Sequence, residues 1–82
     1  MTNLIVVQYN DGILDTYNDI KDVQVDDNIK LIHFLGDFHF EVVLAFVKAN
    51  NLPHNKVVFR NVTIGKYIER VFYKVKRPSC SG

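Results

Sequence analysis

The stretch His33–Glu41, HFLGDFHFE, carries the side chains of this sequence that are best suited to holding a metal ion. It contains two histidines, His33 and His39, and ends at the carboxylate of Glu41. Two histidines and one carboxylate can bind zinc, copper, nickel or iron and leave positions open on the metal. If the stretch forms a hairpin with its loop at Leu35-Gly36-Asp37, His33 faces His39 and Glu41 lies diagonally opposite. That geometry would make the three side chains a candidate metal site.

A helix that begins near Phe40 is the competing interpretation of the same stretch. Asp37 would then cap the helix, His39 would lie in its first turn, and His33 would stay on the preceding strand. The spacing also matches no established zinc motif, such as HExxH or a set of Cys/His pairs. We therefore expect solvent-facing polar residues here, and neither a metal nor a cofactor.

Catalytic motifs are missing from the rest of the sequence. It contains no GxSxG, HRD, GxxxxGKS or GxGxxG pattern, and acid/base chemistry needs groups that are held in a pocket. The only cysteine, Cys80, stands in the terminal stretch RPSCSG, where few neighbours can shape a site. His54 stands alone in NLPHNK. We expect the protein not to be an enzyme.

Length and composition limit the chain to one small domain. Its 82 residues can build a single core, and the hydrophobic content of 48% is too high for a disordered segment. We expect a domain over residues 1–76 and a flexible tail over residues 77–82. A chain this short leaves apolar residues near its surface, so self-association or a protein partner would cover them.

The sequence also suggests a cellular setting. It lacks a basic start followed by a long apolar run, and its longest apolar stretch, Val42–Val47, is far shorter than the about twenty residues that span a bilayer. We expect no signal peptide and no membrane partner. One cysteine cannot form an internal disulfide, which favours the cytoplasm. The abundance of Asn, Ile, Lys, Tyr and Phe is typical of AT-rich coding, as in a low-GC bacterium or its phage.

The elements that must position these residues begin with a hairpin. Leu4–Tyr9 and Ile13–Tyr17 are rich in β-branched and aromatic residues and flank a turn sequence. If Asp11-Gly12 forms a two-residue turn, Tyr9 faces Leu14, and apolar and polar residues sort onto opposite faces.

Two further strands and a helix follow. Alternation predicts a short strand over Asp22–Val25, and Ile29–Phe34 extends the sheet to a four-stranded meander. The spacing of the apolar residues then changes to the period of a helix, which predicts a helix over Phe40–Asn50. The sequence Asn50-Asn51-Leu52-Pro53 supplies a residue that tolerates the left-handed conformation, an apolar contact and a breaker, as expected after a helix end.

The last segment has two interpretations. Lys56–Thr63 and Tyr67–Lys76 are rich in β-branched and aromatic residues around Gly65, which favours a second hairpin. The rival is a helix capped by Thr63, because four apolar residues fit one helical stripe; they are Ile64, Ile68, Val71 and Val75. If this second hairpin forms, the fold class is α+β, with a mainly antiparallel sheet of about six strands and one helix packed on one face of the sheet.

Charge separates sharply along the sequence. Residues 1–41 contain eight acids and two bases, a balance of −6, whereas residues 42–82 contain eight bases and one acid, a balance of +7. In the second hairpin, the candidate partner-binding residues share one face; they are Lys56, Arg60, Arg70, Phe72 and Lys74. Arg60 would stand opposite Arg70, and such a pair calls for an anionic neighbour.

Three neighbours could supply that negative charge. They are the acidic half of the same chain, a protein partner, which can be a second copy, and nucleic acid. Absent catalytic motifs, surplus apolar residues and separated charge favour a non-catalytic protein-binding or regulatory module, encoded by a phage or other mobile element. The alternative is a nucleic-acid-binding domain that uses the basic C-terminal strands, although the acidic half would repel phosphates from part of its surface.

Overall fold

The computed structural model describes the backbone of residues 3–76 and the side chains of residues 3–71. A five-stranded mixed sheet and two helices make up the fold, which confirms the α+β class. The elements are β1 (Leu4–Tyr9), β2 (Leu14–Tyr17), β3 (Ile29–Leu35), α1 (Phe40–Ala49), β4 (Val57–Phe59), β5 (Val62–Thr63) and α2 (Ile64–Lys76). The strand order is β2-β1-β3-β4-β5, so β3 is the central strand. The predicted tail, residues 77–82, lies outside the described residues.

The β1–β2 hairpin forms, but its register differs from the predicted one by one residue. Gln8 pairs with Leu14, whereas the prediction put Tyr9 there. The backbone N–H of Tyr9 donates to the carbonyl of Ile13 at 2.9 Å, and Gly12 has a φ of 90°. Gly12 takes the left-handed conformation that closes a three-residue loop, which adds one residue to the turn.

The strand predicted over Asp22–Val25 is wrong. A short 3₁₀ helix at Ile20–Asp22 ends where the strand was expected to begin, and Val23–Val25 have no regular secondary structure. The Asp19 carboxylate accepts from the backbone N–H of Lys21 at 3.0 Å. A capping side chain of this kind offers the backbone an alternative to strand pairing. The apolar alternation in this segment instead marks one-sided burial, because Val23 packs into the core from a loop.

Helix α1 confirms the predicted element and the signals at its end. Asn51 has a φ of 53°, and the backbone N–H of Leu52 donates to the carbonyl of Val47 at 3.0 Å. This pattern is a Schellman motif, with the buried Leu52 as its apolar contact. After α1 the chain returns to pair β4 parallel to β3, so the sheet is mixed, not purely meandering.

The predicted second long hairpin is wrong, and the rival helix is correct. The chain reverses at Arg60 and Asn61, which have φ values of 52° and 67°, and β5 ends after two residues. From Ile64 onwards the segment is helical. The amphipathic spacing overrides the β-branched composition because a helix packs Ile64 and Ile68 into the core, and strand propensity depends on context. The sheet therefore has five strands, not six, and two helices accompany it.

One face of the sheet, the inner face, holds the core. Its fully or nearly fully buried strand residues are Ile5, Val7, Ile29, Ile32, Phe34, Val57 and Phe59. Val43 and Val47 of α1 and Ile64 of α2 pack in the same cluster. Both helices thus pack against the inner face.

Candidate interaction surface

The histidine-rich stretch does not form the predicted hairpin. After β3 the chain turns at Gly36, which has a φ of 110°, and enters α1. His33 is half-buried on β3, His39 is the N-cap residue of α1, and Glu41 lies exposed in its first turn. In the part of the chain that the structure describes, no three His, Cys, Asp or Glu side chains come together in a group that could hold a metal.

Asp37 does not cap α1 as the helical interpretation proposed. Its carboxylate lies 3.7 Å from the Arg60 guanidinium, and both side chains are more than half exposed. An ion pair this exposed adds little to stability. The Arg60 guanidinium also lies 5.8 Å from the centre of the Phe59 ring. Arg60 thus contacts its own domain from a turn, and since Arg70 lies on a helix, the expected cross-strand arginine pair does not form.

Lys56 has a structural contact. Its Nζ donates to the carbonyl oxygen of Ile29 at 3.0 Å in a partly buried position. Ile29 pairs with Tyr9 where the β1–β3 register shifts, so this carbonyl lies at an irregularity of the sheet. A charged donor to such a carbonyl stabilises the irregular strand end.

The other candidate partner-binding residues lie on α2. Arg70 is exposed, as is Lys66 one turn earlier, so the two cations share a helix face. Phe72 and Lys74 fall within α2, but their side chains lie outside the described residues. The strand face that was expected to unite these residues does not exist. Whether they contact a partner stays a prediction.

The opposite face of the sheet, which we call the outer face, is a surface that the sequence reasoning missed. By register its residues are Leu4, Val6, Gln8, Leu14, Thr16, Leu31, His33, Leu35, Val58 and Thr63. None of them is buried, and Leu14 is 59% exposed. Six of the ten are leucine or valine. This is an apolar sheet face against which neither described helix packs.

A signal for the outer face was present in two strands. β1 is apolar at four successive positions, Leu4 to Val7, and in β3 Leu31 and Leu35 alternate with the buried Ile32 and Phe34. Strands covered on both faces have nearly continuous apolar sequences, whereas a strand with one wet face alternates. Both strands therefore have the composition of strands with two covered faces.

His33 occupies the middle of the outer face. Register aligns one row across all five strands, formed by Thr16, Val6, His33, Val58 and Thr63. Because β3 is the central strand, His33 has two strands on each side, and its immediate neighbours in the row are valines. A single polar side chain thus lies at the centre of an apolar surface.

The two ends of the strand order carry opposite charge. Residues 4–28, which form β1, β2 and their loops, contain six aspartates and one lysine, a balance of −5. Residues 54–71, which include β4, β5 and the described part of α2, contain four bases and one glutamate, a balance of +3. The edge strands themselves place no charge on the outer face, because Asp15 of β2 pairs with the inner-face residue Val7 and β5 contains no charged residue.

The aromatic rings gather on the inner side. Phe34 meets Phe38 and Phe46 edge to face, with ring centres 5.3 and 5.8 Å apart. Phe59 meets Phe40 and Tyr67 at 6.0 and 5.2 Å. The outer face, as defined by its ten residues, includes no Phe, Tyr, Lys or Arg.

Tyr9 has a perturbed hydroxyl on the inner side of the hairpin. Burial, together with interactions with the side chains of Tyr17 and Asp15, raises the pKa of Tyr9 to about 12. The hydroxyl therefore stays protonated at neutral pH. It is a hydrogen-bond donor here, not a base or a nucleophile.

Comparisons with known proteins supply no information on function. No protein-family description, curated protein or solved structure gives a significant match to the chain. Within the described residues, neither helix has the length and apolar character that crossing a membrane requires.

Proposed function

We propose that this chain is a non-catalytic protein-binding module that acts through the outer face of its sheet. The observation that carries the proposal is one-sided packing, because both helices cover the inner face while leucines and valines line the other. Contiguous apolar surface on a small domain marks an interaction site. A regulatory role follows naturally for a module that binds and performs no chemistry.

The chemistry of the outer face favours a protein over a nucleic acid. Sheets that bind single strands stack bases on aromatic rings and hold phosphates with cations. Here the packed aromatic rings among the described side chains lie on the inner side, and the outer face presents aliphatic side chains around His33. Depletion of charge at the centre is typical of the core of a protein–protein interface.

We further propose that the module works in the cytoplasm without a cofactor. The single cysteine supports this location, because proteins of oxidising compartments with so small a core commonly rely on disulfides. Origin from a phage or another mobile element remains part of the proposal on compositional grounds.

A site-specific photo-cross-linker tests the proposed surface. Benzoylphenylalanine at Leu31, in the outer face, should form adducts with protein when the chain is expressed in bacteria and irradiated. The same group at Val42 is the matched control, since Val42 is an apolar α1 residue that is 46% exposed, away from the outer face. The measurement is the mass and composition of the adducts.

Equal adduct yield at the two positions would show that exposure alone governs cross-linking, and the outer face would lose its assigned role. The absence of protein adducts at Leu31 would have the same consequence. Preserved circular dichroism in both variants ensures that a folded protein is compared.

The alternative function, nucleic-acid binding, has one observation in its favour. Lys66 and Arg70 are exposed one turn apart on α2, in the basic part of the chain, and could contact phosphates. A cross-linker at Lys66 would then form adducts with nucleic acid, and a cross-linker at Leu31 would form no adducts. That pair of results would replace the protein-binding proposal.

A further inference from the structure

We propose that protonation of His33 releases the partner of the outer face, so that the module binds near neutral pH and dissociates from its partner below about pH 6. This inference rests on the proposed function and concerns the regulation of the same surface. It follows from the position of His33 in the sheet, from the residues around it, and from the cost of covering a charged imidazole with apolar groups.

The position of His33 makes it a residue that a partner on this face must cover. His33 pairs with Val6 of β1 on one side and with Val58 of β4 on the other, and a further strand lies beyond each. Along β3, Leu31 and Leu35 flank it on the same face. A partner that contacts the apolar side chains on both sides of β3 therefore also covers the imidazole, which is already half-buried in the free domain.

The neighbours of His33 supply no charge that would compensate an imidazolium. The outer-face residues of the other four strands are leucine, valine, glutamine and threonine, and none of them titrates. Within residues 3–76, neither helix packs on this face. No described element therefore brings a carboxylate to the imidazole.

The nearest charged residues along the chain lie away from the imidazole. Asp15 of β2 belongs to the inner face. Lys30 is exposed at the start of β3, three residues before His33 and so about 10 Å along the strand, beyond the screening length of about 8 Å at physiological salt. After β3, the Asp37 carboxylate lies 3.7 Å from the Arg60 guanidinium. A covered imidazolium at His33 would thus find no anion in the described part of its own chain.

The two protonation states of an imidazole differ in what it costs to cover them. A neutral imidazole has one donor and one acceptor, and a partner can satisfy both with neutral groups. An imidazolium has two donors and a full charge, and covering an unpaired charge with apolar groups is strongly unfavourable. Histidine passes between these states in the range of about pH 5 to 8. Lowering the pH therefore converts the free domain to the form that binds poorly, and affinity falls.

The size of the effect follows from the fraction of neutral side chains. An ordinary histidine is about one-tenth neutral at about pH 5.5 and mostly neutral at about pH 7.5. Apparent affinity falls in proportion to the fraction of chains in the form that binds. We therefore expect affinity for the partner to fall by about tenfold between these two pH values.

The Leu31 photo-cross-linker, used at two pH values, tests the inference. A bacterial lysate that contains the chain with benzoylphenylalanine at Leu31 is divided, adjusted to about pH 7.5 or about pH 5.5, and irradiated. At limiting partner concentration, the yield of protein adducts should be about tenfold lower in the acidic sample. His39→Gln, at the start of α1, and His54→Gln, in a 3₁₀ helix, are the matched controls and should keep the full loss.

Two substitutions of His33 itself isolate its charge. His33→Gln keeps a neutral side chain that forms hydrogen bonds and cannot become charged, so its adduct yield should be the same at the two pH values. His33→Lys carries a permanent positive charge and should give, near neutral pH, the low yield that the unsubstituted chain gives in acid. Circular dichroism at both pH values ensures that folded proteins are compared.

The outcomes separate this inference from the function on which it rests. Adducts that form equally well at both pH values in the chain with His33 overturn the switch and leave the protein-binding function intact. An equal acid loss in His33→Gln also overturns the switch, because another group would then titrate, and so does a yield that rises in acid. A chain with His33 that forms no protein adducts near neutral pH overturns both.

Discussion

The hydroxyl of Tyr9 has a pKa that is displaced from that of a free tyrosine. The folded state holds this proton more tightly than the unfolded chain, in which a tyrosine titrates near pH 10. The stabilisation is complete below about pH 10 and is lost as the pH rises towards about 12. We therefore expect urea unfolding to show a free energy of unfolding that falls with pH across this interval.

Tyr9→Phe is the control for this expectation. Phenylalanine keeps the ring and removes the titrating hydroxyl, so the alkaline fall in stability should become shallower. An identical slope in wild type and Tyr9→Phe would mean that other groups, such as lysines, cause the alkaline loss. The test needs no ligand.

Single residues also show why the metal hypothesis was wrong in its geometry. The pairing of His33 with His39 required an antiparallel return directly after β3, whereas the chain turns at Gly36 into α1. Residue types at suitable spacing are compatible with a metal only when the backbone reverses at the right place. Here the helix places His39 on a different element from His33.

At the scale of elements, the turn between β4 and β5 controls the last third of the fold. Arg60 and Asn61 both adopt positive φ, which costs a residue other than glycine about 1 kcal/mol or more. Asn61→Gly should therefore raise the free energy of unfolding by about 0.5 to 1 kcal/mol, and Asn61→Val should lower it by about 1 to 2 kcal/mol. Urea denaturation measures both.

Asn55→Gly provides the matched control for the turn. Asn55 is exposed in a 3₁₀ helix and does not have a positive φ. The same substitution there gains no relief of strain and adds unfolded-chain entropy, so it should destabilise the protein. A gain in stability from Asn55→Gly equal to that from Asn61→Gly would contradict the explanation by turn strain.

The two helices differ in how far the sequence predicts them. α1 has an unambiguous period and ends at the sequence Asn-Asn-Leu-Pro, where a Schellman motif forms from local contacts. The α2 segment has a residue composition typical of a strand and an apolar spacing typical of a helix. It forms a helix because a helix packs Ile64 and Tyr67 against the sheet. The secondary structure of this segment is therefore decided by a tertiary contact, not by local propensity.

For the whole molecule, salt distinguishes the proposed protein binding from the nucleic-acid alternative. A protein complex with an apolar centre should lose less than about tenfold in Leu31 photo-adduct yield when the salt concentration is raised tenfold. Binding of single-stranded nucleic acid through Lys66 and Arg70 would release counterions, and two phosphate contacts would cost roughly 25-fold in affinity over the same range. The adduct yield at low and high salt measures the first effect, and sedimentation with a single-stranded oligonucleotide measures the second.

A protein complex that is lost over orders of magnitude in this titration would have an electrostatic centre, contrary to the apolar surface described here. Lys66→Glu is the informative variant for the nucleic-acid alternative. It should flatten the salt dependence of oligonucleotide binding if such binding occurs, and leave the photo-adducts at Leu31 unchanged.

The sequence by itself determined the features that depend on local contacts. The extents of β1, β3 and α1 follow from residue composition and period, and the end of α1 follows from Asn51 and Leu52. The apolar residues at successive positions of β1 and β3 also indicate, from sequence alone, that both faces of the sheet are suited to burial. The α+β class follows from these elements.

Only the tertiary structure decided which of those features face one another. The parallel return from β3 through α1 to β4 makes β3 central and brings Asp37 of the acidic half beside Arg60 of the basic half. Within residues 3–76, both helices pack on the inner face, so neither covers the other apolar face, which has His33 at its centre. Strand order and the choice of face depend on contacts between residues far apart in sequence, and no local pattern of residues encodes them.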